Sequence, residues 1–84
     1  MNDTDIRARV LSTIKQVAPE LEESELRADR PLRDQIDLDS MDWLNVLVAM
    51  HEKLGVDIPE ADYGKLVTLN DLVGYLDAKL ASRV

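Results

Sequence analysis

Apolar residues recur along most of the chain with the spacing of helices, and no stretch alternates as a strand would. Ile6, Val10, Ile14 and Val17 fall on one face of a first helix, which Pro19 ends. From Glu20 to Asp39 the chain is polar and holds Pro31, so the pattern predicts a long loop with one short turn, tied down by Leu26, Leu32 and Ile36. Between Met41 and Leu54 the pattern is double. Trp43, Val46, Leu47, Met50 and Leu54 form one stripe, and Met41, Leu44 and Val48 form a second. One stripe suffices to face a core, so the other is wrapped by neighbours or meets something from outside. Gly55 closes this helix, and a short helical turn of about Ala61 to Leu66 is expected after Pro59. Leu69, Leu72, Val73, Leu76 and Leu80 mark a last helix, opened by Thr68-Leu69-Asn70-Asp71 in the pattern of a capping box.

The prediction is therefore an all-α fold. Its 84 residues suffice for a single domain, 1–84, and hydrophobic residues at 45% support a folded core. Charge changes the picture more. The net charge is −7, and residues 36–66 hold seven acids against two lysines, a local −5. Such a surface repels nucleic acid and anionic lipid and attracts a partner rich in Lys and Arg. The longest apolar run, Val46 to Met50, is far too short to span a bilayer, and the charged "MNDTDIRARV" lacks the core of a signal peptide. A soluble, cytoplasmic monomer is expected.

The candidate chemistry centres on "DLDSMDW", residues 37–43, where Ser40 sits among three aspartates. As a nucleophile Ser40 would need a base within hydrogen-bond reach. The single histidine, His51, lies three turns along the same helix, where it reads as a surface residue. Asp37, Asp39 and Asp42 do not make a calcium loop, because Met41, Asp42 and Val48 stand where oxygen, glycine and glutamate are required. With no cysteine and one histidine there is no zinc set, and the three glycines are too isolated for a phosphate loop. No catalytic residue is expected. Taken alone, Asp39-Ser40 also reads as an ordinary helix N-cap.

Context carries further. Asp39-Ser40-Met41, Val56-Asp57-Ile58-Pro59 and Thr68-Leu69-Asn70-Asp71, followed by Val73, Tyr75 and Leu76, stand in one order at consistent spacing. In this, residues 39–76 resemble the acyl carrier proteins and, more widely, the phosphopantetheine-dependent carrier domains. The resemblance implies a small four-helix bundle with a long loop between its first two helices and a short third helix. It implies that Ser40 receives 4′-phosphopantetheine from coenzyme A through a phosphopantetheinyl transferase, and that the arm carries acyl groups as thioesters. It implies partners among acyl-loading and acyl-processing enzymes of fatty acid, lipid or polyketide type, with basic docking patches. Asp39 would cap the helix and be read by the transferase. Met41, Leu44, Asn45, Val48 and Glu52 match docking positions, three of them the second stripe found from spacing. Three departures stand out: Asn45 and His51 occupy positions that are usually acidic in housekeeping members, and Trp43 replaces a small or polar residue. Trp43 packs in the core or lines an acyl cavity. An aminoacyl or D-alanyl carrier stays open, because Asp-Ser-Met occurs there too, as does an unmodified helical interaction module.

Overall fold

The computed structural model describes residues 2–81. Its elements are α1 (Asp3–Val17), a 3₁₀ turn (Glu23–Glu25), the one-turn α2 (Leu32–Gln35), α3 (Ser40–Leu54), a 3₁₀ helix (Glu60–Lys65) and α4 (Leu69–Ala81). α1 packs against both α3 and α4. Ile6, Val10 and Ile14 of α1 interlock with Val46, Leu47 and Met50 of α3 and with Leu72, Val73 and Leu76 of α4 in one core. Removing such side chains from water is the main favourable contribution to a fold of this size. This is the expected bundle, with α1, α3, the 3₁₀ helix and α4 as its four helices.

Three helix ends show a local chemical cause. The Asn2 side chain accepts from Asp5 N–H at 2.9 Å and opens α1. α3 ends at Gly55, whose φ of 66° is left-handed, and whose N–H donates to His51 O at 2.9 Å. At α4, Asp71 N–H donates to Thr68 Oγ1 and Thr68 N–H donates to Asp71 Oδ2, both at 3.0 Å, so the capping box forms as its sequence predicts.

Two expectations are corrected and a third is refined. The 20–39 segment contains two short helical turns rather than one. Gln35 makes this economical: its side-chain amide receives Arg27 N–H at 2.6 Å and donates to the carbonyls of Arg27 and Arg30 at 2.8 and 3.0 Å, so polar backbone is satisfied without regular structure. The short helical turn expected after Pro59 is present one residue earlier than placed, at Glu60–Lys65, and is 3₁₀. A six-residue segment between Pro59 and the buried Leu66 gains little from α geometry. Val17 is only partly buried, and the following Ala18 takes the core position as the chain leaves the helix. Leu32 and Ile36 anchor the loop as expected, with Leu26 packed partly against the core. Leu21 and Leu38 join them.

The 3₁₀ helix is fastened to α4 by a polar contact. Tyr75 O–H donates to Asp62 Oδ2 at 2.6 Å, and Lys65 Nζ lies 3.6 Å from Asp62 Oδ1. The Tyr75 hydrogen bond, helped by Lys65, holds the Asp62 carboxyl below its ordinary value. Burial, then the bond to Asp62, pushes the Tyr75 phenol up to about 12.

Candidate functional site

The approach to α3 is extended and alternates inside and outside. Ile36 and Leu38 are buried, while Asp37 and Asp39 face solvent. This fixes the phase with which the chain enters the helix. Asp39 is the N-cap, and its carboxylate accepts Asp42 N–H at 2.8 Å. Ser40 is then the first helical residue, exposed and outside the cap interaction. Its hydroxyl stands beside first-turn N–H groups and the positive end of the helix dipole.

α3 is two-sided in fact. Trp43, Val46, Leu47, Met50 and Leu54 are buried. On the other side Met41 is 70% exposed, Leu44 42% and Val48 49%, and no loop among the described residues covers them. Asn45 and Glu52 are exposed as well. Asp39, Ser40, Met41, Leu44, Asn45, Val48 and Glu52 thus lie together along the solvent side of α3 and its cap. Trp43 does two things: it is a core residue, and it also forms one wall of a cleft.

Among the described residues nothing beside Ser40 makes it a self-sufficient nucleophile. His51 is eleven residues on, about 16 Å along the helix axis. Its Nδ1 lies 2.7 Å from Val56 O, which ties the end of α3 to the segment leading to Pro59. Among the described residues no cluster of His, Cys, Asp or Glu could hold a metal ion. No helix among them is long and apolar enough to cross a membrane.

A family model described as the phosphopantetheine attachment site matches residues 8–76. An acyl carrier protein of Rhodococcus erythropolis is 30% identical over 70 residues, covering 80% of this chain and 77% of that protein. The chain belongs to the acyl carrier protein family. Other members give the same picture. The acyl carrier protein of Thermotoga maritima is 29% identical over 77 residues, covering 88% of this chain and 95% of its own. The meromycolate extension acyl carrier protein of Mycobacterium tuberculosis is 32% identical over 72 residues, covering 86% of this chain and 62% of that longer protein. A solution structure of an Anaplasma phagocytophilum protein assigned to the acyl carrier proteins superposes with a TM-score of 0.82 over 94% of this chain and 92% of its own, at 24% identity, and so shares the fold. The prosthetic group of this family is a covalently attached phosphopantetheine. The residues of this acyl carrier family member fit such a group: an exposed hydroxyl stands at a helix N-terminus, where a phosphodiester's negative charge is favoured.

Four features of the site's surroundings escape the sequence patterns. Leu38 left a signal, the brief alternation Ile36-Asp37-Leu38-Asp39. Gln35, Arg33 and the 44%-exposed Val67 left none: Gln35 acts on backbone groups of Arg27 and Arg30 elsewhere in the loop, and Arg33 and Val67 meet only where the loop approaches the 63–67 segment.

Proposed function

We propose that Ser40 carries 4′-phosphopantetheine and that the chain presents acyl groups, held as thioesters, to enzymes of fatty acid or lipid type. The observation that carries this reading is the exposed Ser40 hydroxyl on the first residue of α3, outside the cap that Asp39 already provides. When attached, the group supplies the thiol that holds the acyl chain. The chain's own residues do the rest. The Ser40 oxygen bonds to the phosphorus that bears the pantetheine, the pyrophosphate bond of coenzyme A breaks and adenosine 3′,5′-bisphosphate leaves, and the hydroxyl proton goes to a base of the transferase, since no base stands beside Ser40 among the described residues. Asp39 holds the first turn in place by its bond to Asp42 N–H, so the hydroxyl is displayed in one orientation.

Met41, Leu44 and Val48 form the apolar centre of the docking face, with Asn45, Glu52 and Asp39 around it. Exposed apolar side chains rimmed by polar ones are the usual form of a protein contact site. The local charge of −5 favours partners with basic patches, the phosphopantetheinyl transferase first. The chain works as a carrier and not as a catalyst. We take it to be a cytoplasmic monomer, a reading supported by its self-contained core and by the −7 charge that keeps copies apart.

The absence of cysteine gives a clean test. After incubation with coenzyme A and a transferase, the purified chain should titrate with one free thiol, against none before. A chain that stays thiol-free with several transferases would leave the helical interaction module as the better reading.

A further inference from the structure

The single histidine of the chain stands at the edge of the second α3 stripe. His51 follows Val48 by three residues and Leu44 by seven, so all three share one side of the helix. It is exposed, and with Val48 it lines a hollow of about 180 Å³ between α3 and the segment that leads into the 3₁₀ helix. We propose that His51 makes docking sensitive to pH: protonation places a cation beside the apolar stripe and weakens association with partners that present basic patches. The inference deepens the reading of Met41, Leu44 and Val48 as a docking surface and rests on it.

The two ring nitrogens have different duties. Nδ1 lies 2.7 Å from Val56 O, and a carbonyl only accepts, so Nδ1 carries a proton whether the ring is neutral or charged. The proton that comes and goes is therefore the one on Nε2. The tie to Val56 persists in both forms, so acid changes the charge of the face and leaves its framework in place. An imidazole changes charge between about pH 5 and 8, where the ordinary carboxylates, lysines and arginines do not. With one histidine, the chain has one such side chain.

The surroundings set the sign of the effect. Asp57 and Tyr63 line the same hollow, and Glu52 and Lys53 follow His51 along α3. No Arg or Lys among the described residues lines the hollow, and residues 36–66 hold seven acids against two lysines. A neutral His51 leaves this acidic edge open to a partner's cation. A charged His51 offsets the nearby carboxylates and repels that cation.

The test places wild type and His51→Gln together in equal amounts, competing at low salt for a limiting phosphopantetheinyl transferase with coenzyme A. Intact mass reads both products, so the ratio of their kcat/KM values is free of the transferase's own response to pH. Between about pH 8 and about pH 5.5 the ratio of wild type to variant should fall about threefold, the size of one rim charge, and high salt should flatten the trend. His51→Lys, charged throughout, should lag behind His51→Gln at every pH without a trend of its own. Circular dichroism checks that each variant folds. A second measurement needs no variant: at about pH 6, adding unlabelled transferase to the isotope-labelled wild-type chain should drive the His51 ring signals towards the neutral form. A flat ratio would overturn the proposal, as would one that rises in acid, which would mean that the partner meets His51 with a carboxylate. Ring signals that stay in place or move towards the charged form would overturn it too. Leu44→Glu in the same competition tests the face beneath the inference. If it keeps pace with wild type, the docking reading fails and the role of His51 with it; if it lags while the His51 ratio stays flat, only the role of His51 fails.

Discussion

Leu44 and Leu47 sit one turn apart on α3 and should fail in opposite ways. Leu47 is 1% exposed and packs in the core, whereas Leu44 is 42% exposed. Truncating a buried leucine costs roughly 2–5 kcal/mol, the lost transfer energy plus the cavity left behind. The whole stability of an 84-residue domain is about 4–13 kcal/mol, so Leu47→Ala removes a large share of it. At roughly 4–8 °C per kcal/mol for this size, Tm should fall by about 10 °C or more. Leu44→Glu replaces a side chain already half in water, where substitutions usually stay within about 0.5 kcal/mol, so Tm should move by no more than about 4 °C. Recognition should show the reverse. An apolar anchor at an interface centre is commonly worth ~2 kcal/mol, which is about 30-fold in kcat/KM for transfer of the arm. The assays are thermal melting by circular dichroism and initial rates of modification under one transferase. If Leu44→Glu melts as low as Leu47→Ala, the second stripe is core. If it folds and is modified at the normal rate, the docking face lies elsewhere.

Three further predictions follow from the charge and helix chemistry. Among the described residues one ion pair, Lys65 to Asp62, answers the acids of 36–66, so added salt or millimolar magnesium should raise Tm, and an unchanged or lower Tm would contradict the repulsion. A Cβ at Gly74 would meet nothing within 4 Å, so Gly74→Ala should stabilise by up to about 1 kcal/mol; a lower Tm would mean that the open space is misjudged. The folded-state Tyr75 phenol at about 12 lies above its ordinary value of 10.0, so its contribution is complete below pH 10 and lost as pH rises from 10 towards 12. At the acid end Asp62 has the opposite sign: its contribution is present above 3.8 and lost as pH falls below that value. Tyr75→Phe should flatten the alkaline loss, as seen by melting across pH, and an unaltered profile would refute the link.

Much of this molecule is legible in its sequence because it is made of helices. A spacing of 3.6 residues separates the two stripes of α3 without any knowledge of what lies beneath, and the exposures of Met41, Leu44 and Val48 agree with it. Caps are equally local: Asp39, Gly55 and Thr68 each act on residues within four positions. What stays hidden is non-local. Gln35 stabilises the loop through four backbone groups that any sequence would offer, so nothing in residues 27–31 marks them as its partners. The cleft joins positions 31–33, 43 and 63–67, which only the packed fold brings together. The short helix falls between: Pro59 announces its start, but its fastening to α4 through Tyr75 and Asp62 joins positions 13 residues apart. The attachment residue is a different case. A serine after an aspartate before a helix is common, and only the ordered motifs downstream make Ser40 stand out from Ser12, Ser24 and Ser82.

The most direct test of the central claim is intact mass with fragment mapping, on wild type and Ser40→Ala, after incubation with coenzyme A and a broad-specificity transferase. The account predicts that wild type gains one phosphopantetheine, mapped to the peptide containing Ser40. It predicts that Ser40→Ala gains none, although its helical circular dichroism is preserved, because Asp39 provides the cap. A phosphopantetheine on the Ala variant, or one mapped to Ser12, Ser24 or Ser82 in wild type, would contradict it.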